Sequence, residues 1–198
     1  NLFLSVHRPQ RKAPFLLDFL RRHEDEAGII YCTEHRLTEH IAQLLNRSGF
    51  PALSYHAGLT REERMANAHA FCAATASSDR QTAVRRHSNA RMTDARAFCA
   101  SAPSSDRRIQ RPSTHDAETH AAAQILVVTP DPFLELDRSD VRFVMHYTMP
   151  ESLERYYQEL VHAGRDGLPA ECILLANERD FELQRTKLEK VTLGYQAY

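Results

Sequence analysis

The residues best equipped for chemistry gather in one stretch, YYQELVHAGRDGLPA from Tyr156 to Ala170. Arg165 carries a planar guanidinium whose fork of donors matches a carboxylate or a phosphate. From its position alone, a surface salt bridge, for instance with Asp166, is the plainer reading. Gln158, taken by itself, reads as an exposed helix residue, and His162 as a short base that is largely neutral near neutral pH unless paired. Thr33 and Arg36 follow GIIYC at the carboxyl end of a strand, the edge where open α/β sheets place ligands. His56 and Gly58 stand in YHAGL, where a lone histidine reads as a structural hydrogen-bonder. The 11 histidines are scattered and the 4 cysteines (Cys32, Cys72, Cys99 and Cys172) lie far apart, so no metal site or redox pair is expected.

The elements that must position these groups announce themselves as short β-type runs. They are Leu2 to Val6, Gly28 to Cys32, Ala52 to Tyr55, Ile125 to Thr129, Val141 to Tyr147 and Glu171 to Leu175, with helical patterns between most of them. The alternation predicts an α/β fold with a parallel sheet covered by helices. The helix after GIIYC places Leu37, Ile41, Leu44 and Leu45 on one face and stops near Gly49. Thr60 and Glu63 form a capping box for a helix running to Phe71. Leu153, Tyr156, Tyr157, Leu160 and Val161 recur at helical spacing and lead straight into His162 and Arg165, which puts the chemistry at a helix end. A last helix is expected from about Glu178 to Lys190, followed by a short tail.

Residues 72–123 break the pattern. They are rich in Ala, Ser, Thr, Arg and His, hold no glycine and have Phe98 as their one aromatic, so a disordered, low-complexity insertion is expected. RMANAHAFCAATASSDR from Arg64 returns as RMTDARAFCASAPSSDR from Arg91, a partial tandem duplication that makes Phe71 and Phe98 rival candidates for one core socket. Lengthening a loop tenfold costs only roughly 2 kcal/mol of closure entropy, so the fold tolerates it. The domain is therefore read as 1–71 joined to 124–198.

A net charge of −1 gives no global basic field, so nucleic-acid contact has to come from a local patch. No apolar run approaches the roughly 20 residues that span a bilayer, and no membrane partner is expected. The expected setting is intracellular: the nucleus in a eukaryote, cytoplasm or nucleoid in a bacterium. The chain starts abruptly, as an excised domain does.

Taken in order, GIIYC with Arg36, YHAGL, DVRFVMHYTMP from Asp140 to Pro150, YYQE and AGRDGLPAE make the chain resemble the second RecA-like domain of RecQ-family DNA helicases. The resemblance covers nearly everything outside the insertion. It implies a RecA-like sheet that packs on an upstream RecA-like domain of the same protein, with ATP and Mg²⁺ held through that first domain and DNA running across both. It assigns Arg165 as the catalytic arginine finger. It further assigns Gln158, His162, Arg165 and Asp137 to nucleotide binding, and Thr33, Arg36, His56, Gly58 and Thr129 to DNA binding. The chain contains no GxxxxGK[ST] phosphate loop and no acidic magnesium box, so those parts are expected upstream.

Two departures set a competing expectation. The family reads QExGRAGRDG where this chain reads QELVHAGRDG, so Val161 replaces a glycine and His162 an arginine. The family pattern VATxAFGMGIDKPxVRF aligns on VVTPDPFLELDRSDVRF, keeping Thr129 and Asp137 but turning two glycines into Phe133 and Glu135. A ring and an added carboxylate oppose close approach of phosphate, and Pro130 and Pro132 remove amide donors. The alternative expectation is a catalytically impaired helicase-like module that binds DNA or a protein partner, and a decayed gene copy is a third.

Overall fold

The computed structural model describes residues 1–74, 123–131, 134 and 136–195, with side chains as far as 186. Six strands are present: β1 (Leu2–His7), β2 (Ala27–Tyr31), β3 (Ala52–Tyr55), β4 (Ile125–Val128), β5 (Val141–His146) and β6 (Ala170–Leu175). Five helices accompany them among the described residues: α1 (Lys12–Arg22), α2 (His35–Arg47), α3 (Arg61–Ala73), α4 (Leu153–Leu160) and α5 (Glu178–Tyr195). The strands form one sheet in the order β1-β6-β5-β2-β4-β3, every pairing parallel. This is a RecA-like α/β fold. Each expected strand is present to within about a residue; β2 and β4, covered on both faces, are written as unbroken apolar runs, whereas the edge strand β1 is largely exposed.

The two faces are filled by alternate residues of the same strands. Ile30, Cys32, Val127, Phe143 and Met145 join Leu16, Phe19 and Leu20 of α1 and Ile41 and Leu45 of α2 on one side. Ile29, Tyr31, Leu126, Val128 and Val144 meet Phe71 of α3 and Leu160 of α4 on the other. In β5 the phase slips: Ala27 pairs with Val141 but Gly28 pairs with Phe143, so Arg142 is the extra residue of a bulge. Gly28 lies under the Phe143 ring, where a Cβ would come within 1.9 Å of ring carbon, so only glycine fits.

The helix signals act as their chemistry requires. Thr60 and Glu63 form the reciprocal capping box. α2 closes in a Schellman motif: Phe50 N–H bonds the Leu45 carbonyl at 3.0 Å and Gly49 N–H the Asn46 carbonyl at 3.2 Å, with Gly49 at φ +90°. Two expectations need correction. α5 runs five residues past Lys190, to Tyr195. The apolar set on α4 does not point one way: Leu160 is buried, Tyr156 is half-buried, and Leu153, Tyr157 and Val161 are exposed. Of the two aromatic candidates for the core socket, Phe71 is fully buried, and Phe98 lies outside the described residues, as does most of the insertion.

Arg138 holds the two ends that flank the insertion. Its Nη1 donates to the Phe71 carbonyl at 2.6 Å, at the end of α3, and to the Ala123 carbonyl at 3.3 Å, just before β4. Its Nε donates to Asp140 Oδ1 at 2.8 Å, and the guanidinium lies 4.7 Å from the centre of the Phe71 ring. Both carbonyls accept from one nitrogen, so whatever the intervening residues do, the domain sees a closed loop.

Candidate functional site

The candidate residues fall into two groups at opposite edges of the sheet. Thr33, His56 and Thr129 stand just past the carboxyl ends of β2, β3 and β4, neighbouring strands, and Thr129 N–H bonds the Tyr55 carbonyl at 3.0 Å. Thr33 N–H donates to Thr148 Oγ1 at 2.9 Å. Arg36 lies exposed in the first turn of α2, whose amino terminus has no side-chain cap. Four amides at such an end lack intrahelical acceptors and favour an anion.

His56 is 2% exposed, stacks on His35 at 4.9 Å between ring centres, and has neither ring nitrogen in a hydrogen bond. Its Nε2 approaches Glu39 Oε1 at 3.2 Å, close enough to feel the charge but not aligned as a hydrogen bond. Burial, then repulsion from His35, lowers its pKa. A Cβ on Gly58 would sit 3.1 Å from His56 Nδ1 and 3.2 Å from His35 Nδ1, so glycine keeps that spot open.

Arg165 lies at the other edge, beyond α4. Gly164 N–H bonds the Val141 carbonyl at 2.9 Å, which ties the AGRDG turn to the amino end of β5. The turn needs left-handed backbone at Gly164 (φ +60°) and Gly167 (φ +82°), which glycine supplies without strain. Asn1 Nδ2 bonds the carbonyls of Gly164 at 2.7 Å and Leu168 at 3.0 Å and steadies it further.

Asp166 is not the partner of Arg165. The β5 bulge aims Arg142 at it, with Nη2 2.5 Å from Asp166 Oδ2. The Arg165 fork instead donates from Nε to the Val161 carbonyl at 3.1 Å and from Nη1 to the Leu136 carbonyl at 2.7 Å, while Nη2 lies 3.0 Å from His162 Nδ1. Burial, then the Arg165 charge, lowers the His162 pKa to about 4. Its ring is thus neutral and accepts at Nδ1.

Asp137 is exposed, next in the chain to the carbonyl that Arg165 holds, and Gln158 is exposed one turn back on α4. Leu134 and Leu136 are buried and anchor this loop, whereas Pro132, Phe133 and Glu135 lie outside the described residues.

Sequence reasoning missed the buried pair beneath α4. Glu159 Oε2 lies 2.7 Å from His146 Nε2, with side chains 8% and 1% exposed, and Arg155 Nε is 3.6 Å from the other oxygen. Tyr31 stacks on the His146 ring at 5.0 Å and Tyr156 meets it edge-on at 4.8 Å. The available signal was a carboxylate beside Leu160 on the inward face of a helix, and a histidine ending an otherwise apolar strand.

The lowered pKa values of His56 and His162 set an acid limit on stability. Above the ordinary histidine value of 6.5 neither the folded nor the unfolded chain protonates these rings, and the folded state keeps its full stability. Below it the unfolded chain takes up protons that the fold refuses. The urea midpoint is expected to fall steadily from pH 6.5 toward pH 4, and His162→Asn should flatten that slope.

Among the described residues no cluster of His, Cys, Asp or Glu is arranged to hold a metal ion, and no helix is long and apolar enough to cross a membrane. No family model matches the chain. It is 31% identical to the ATP-dependent DNA helicase RecQ of Haemophilus influenzae over 96% of its own length and 23% of that protein's. It is 26% identical to the protein of the same name from Bacillus subtilis over 96% of this chain and 24% of the relative. It is 28% identical to the ATP-dependent DNA helicase Q-like 2 of Arabidopsis thaliana over 93% and 20%. The chain thus spans about a quarter or less of the length of these relatives. The ordered motifs, the parallel sheet and this near-complete coverage of the chain by such relatives agree: the protein is a RecQ helicase-like domain.

Proposed function

We propose that this chain is the second motor domain of an ATP-dependent DNA helicase of RecQ type, which unwinds duplexes with 3′-to-5′ polarity in recombination and repair. One observation carries the reading: Arg165 is exposed, gripped on three sides by its own domain, and released from Asp166 by Arg142. A guanidinium offers five N–H donors, so donors remain to turn outward.

ATP with Mg²⁺, held by the upstream RecA-like domain, supplies the phosphoryl transfer. The residues present fit a partner to that site: they provide a fixed cation but, in a chain without a phosphate loop, no cradle. Arg165 sets its positive charge against the charge that develops on the terminal phosphate, with Asp137 and Gln158 as further nucleotide-site residues. At the opposite edge, the uncapped α2 amino terminus, Arg36, Thr33, Thr129, Gly58 and His56 make up the surface read as meeting a DNA backbone phosphate.

The test is strand separation by the parent protein on duplexes with a single-stranded tail. ATP-dependent unwinding from a 3′ tail is expected. Unwinding from a 5′ tail alone would overturn the polarity, and tight DNA binding without ATP-dependent unwinding would replace this reading with the impaired binding module.

A further inference from the structure

The place where this chain departs most visibly from its family's pattern has acquired a different task. The family's arginine there is a second cation; here His162 presents a lone pair to Arg165 at 3.0 Å. We propose that His162 is a positioning residue, whose Nδ1 completes a three-sided grip that fixes the plane and direction of the Arg165 guanidinium. Its consequence for turnover rests on the role given to Arg165 above.

The geometry carries the assignment. Val161 O takes Nε and Leu136 O takes Nη1, both on the chain's own backbone. These two bonds leave Nη2 without an acceptor, and His162 Nδ1 is the group that meets it. Accepting at Nδ1 fixes the imidazole proton on Nε2. An arginine at 162 has no lone pair to give and would set a like charge against Arg165. The chain has therefore exchanged a second phosphate-facing cation for an acceptor that orders the first. His162 is half-buried one turn before Arg165, so its backbone is already fixed by the end of α4.

The experiment reads Arg165 directly, by NMR of its Nε–Hε group in the 198-residue chain, with no nucleotide present. Wild type, His162→Asn, His162→Leu and His162→Arg are compared. Asparagine restores an acceptor oxygen near the Nδ1 position, and leucine keeps the bulk without it. Wild type and the asparagine variant are expected to show an ordered side chain with slow Hε exchange. The leucine and arginine variants should exchange about tenfold faster, the worth of one hydrogen bond to a charged group. Leucine behaving as wild type would overturn the proposal. Should leucine perturb folding, the tautomer of His162 in the wild-type chain decides: a proton on Nε2 supports the grip, and one on Nδ1 removes it. Neither readout depends on ATP, so failure here is distinct from failure of the motor assignment.

Discussion

Arg138→Leu is expected to lower the unfolding free energy by about 3–5 kcal/mol, a large share of what holds a domain of this size together. The side chain is 1% exposed. Leucine fills much of the space, so the loss is electrostatic and not a cavity. It strands the carbonyls of Phe71 and Ala123 inside the protein and removes the Arg138 contact from Asp140. Each orphaned buried acceptor costs about 1–3 kcal/mol. Asp140 retains access to water and adds less. Arg138→Lys keeps the charge but cannot reach both carbonyls and a carboxylate at once, so it should fall between. Urea unfolding followed by circular dichroism measures all three chains. A loss below about 1 kcal/mol for the leucine variant would contradict the clamp.

Arg165→Ala is expected to lower ATP turnover by the parent protein about a thousandfold or more, the usual effect of removing an arginine that faces the transferring phosphoryl group. The variant should still fold, because Arg165 is exposed and its bond to the Val161 carbonyl lies at the surface; the part-buried Leu136 carbonyl loses its partner at a cost of about 1–3 kcal/mol. KM for ATP should change little, since a contact made chiefly in the transition state lowers kcat and kcat/KM together. Arg165→Lys should rescue little of the rate. An ammonium on a flexible stem cannot reproduce a planar fork held on three sides.

The strands were readable because buried parallel strands are unbroken apolar runs, and α2 and α3 because Gly49 and the Thr60–Glu63 pair end and begin them by local chemistry. What escaped depends on residues far apart in the chain. Arg138 sits in DRSD, which reads as a solvated turn; its burial comes from a helix end 67 residues earlier. Glu159 and His146 belong to different elements and become a pair only when α4 lies on β5. Spacing placed Arg165 at a helix end correctly but could not show that the β5 bulge gives Asp166 to Arg142. Leu153, Tyr157 and Val161 misled because periodicity reports that a segment is helical and not which of its apolar residues the core accepts.

The most direct measurement of the central claim is the affinity of the parent protein for ADP alone and for ADP with aluminium fluoride and Mg²⁺, a mimic of the transferring phosphoryl group. If Arg165 meets that group from the second domain, wild type binds the mimic much more tightly than ADP. Arg165→Ala then loses that preference while binding ADP as before. An unchanged preference in Arg165→Ala would contradict the account.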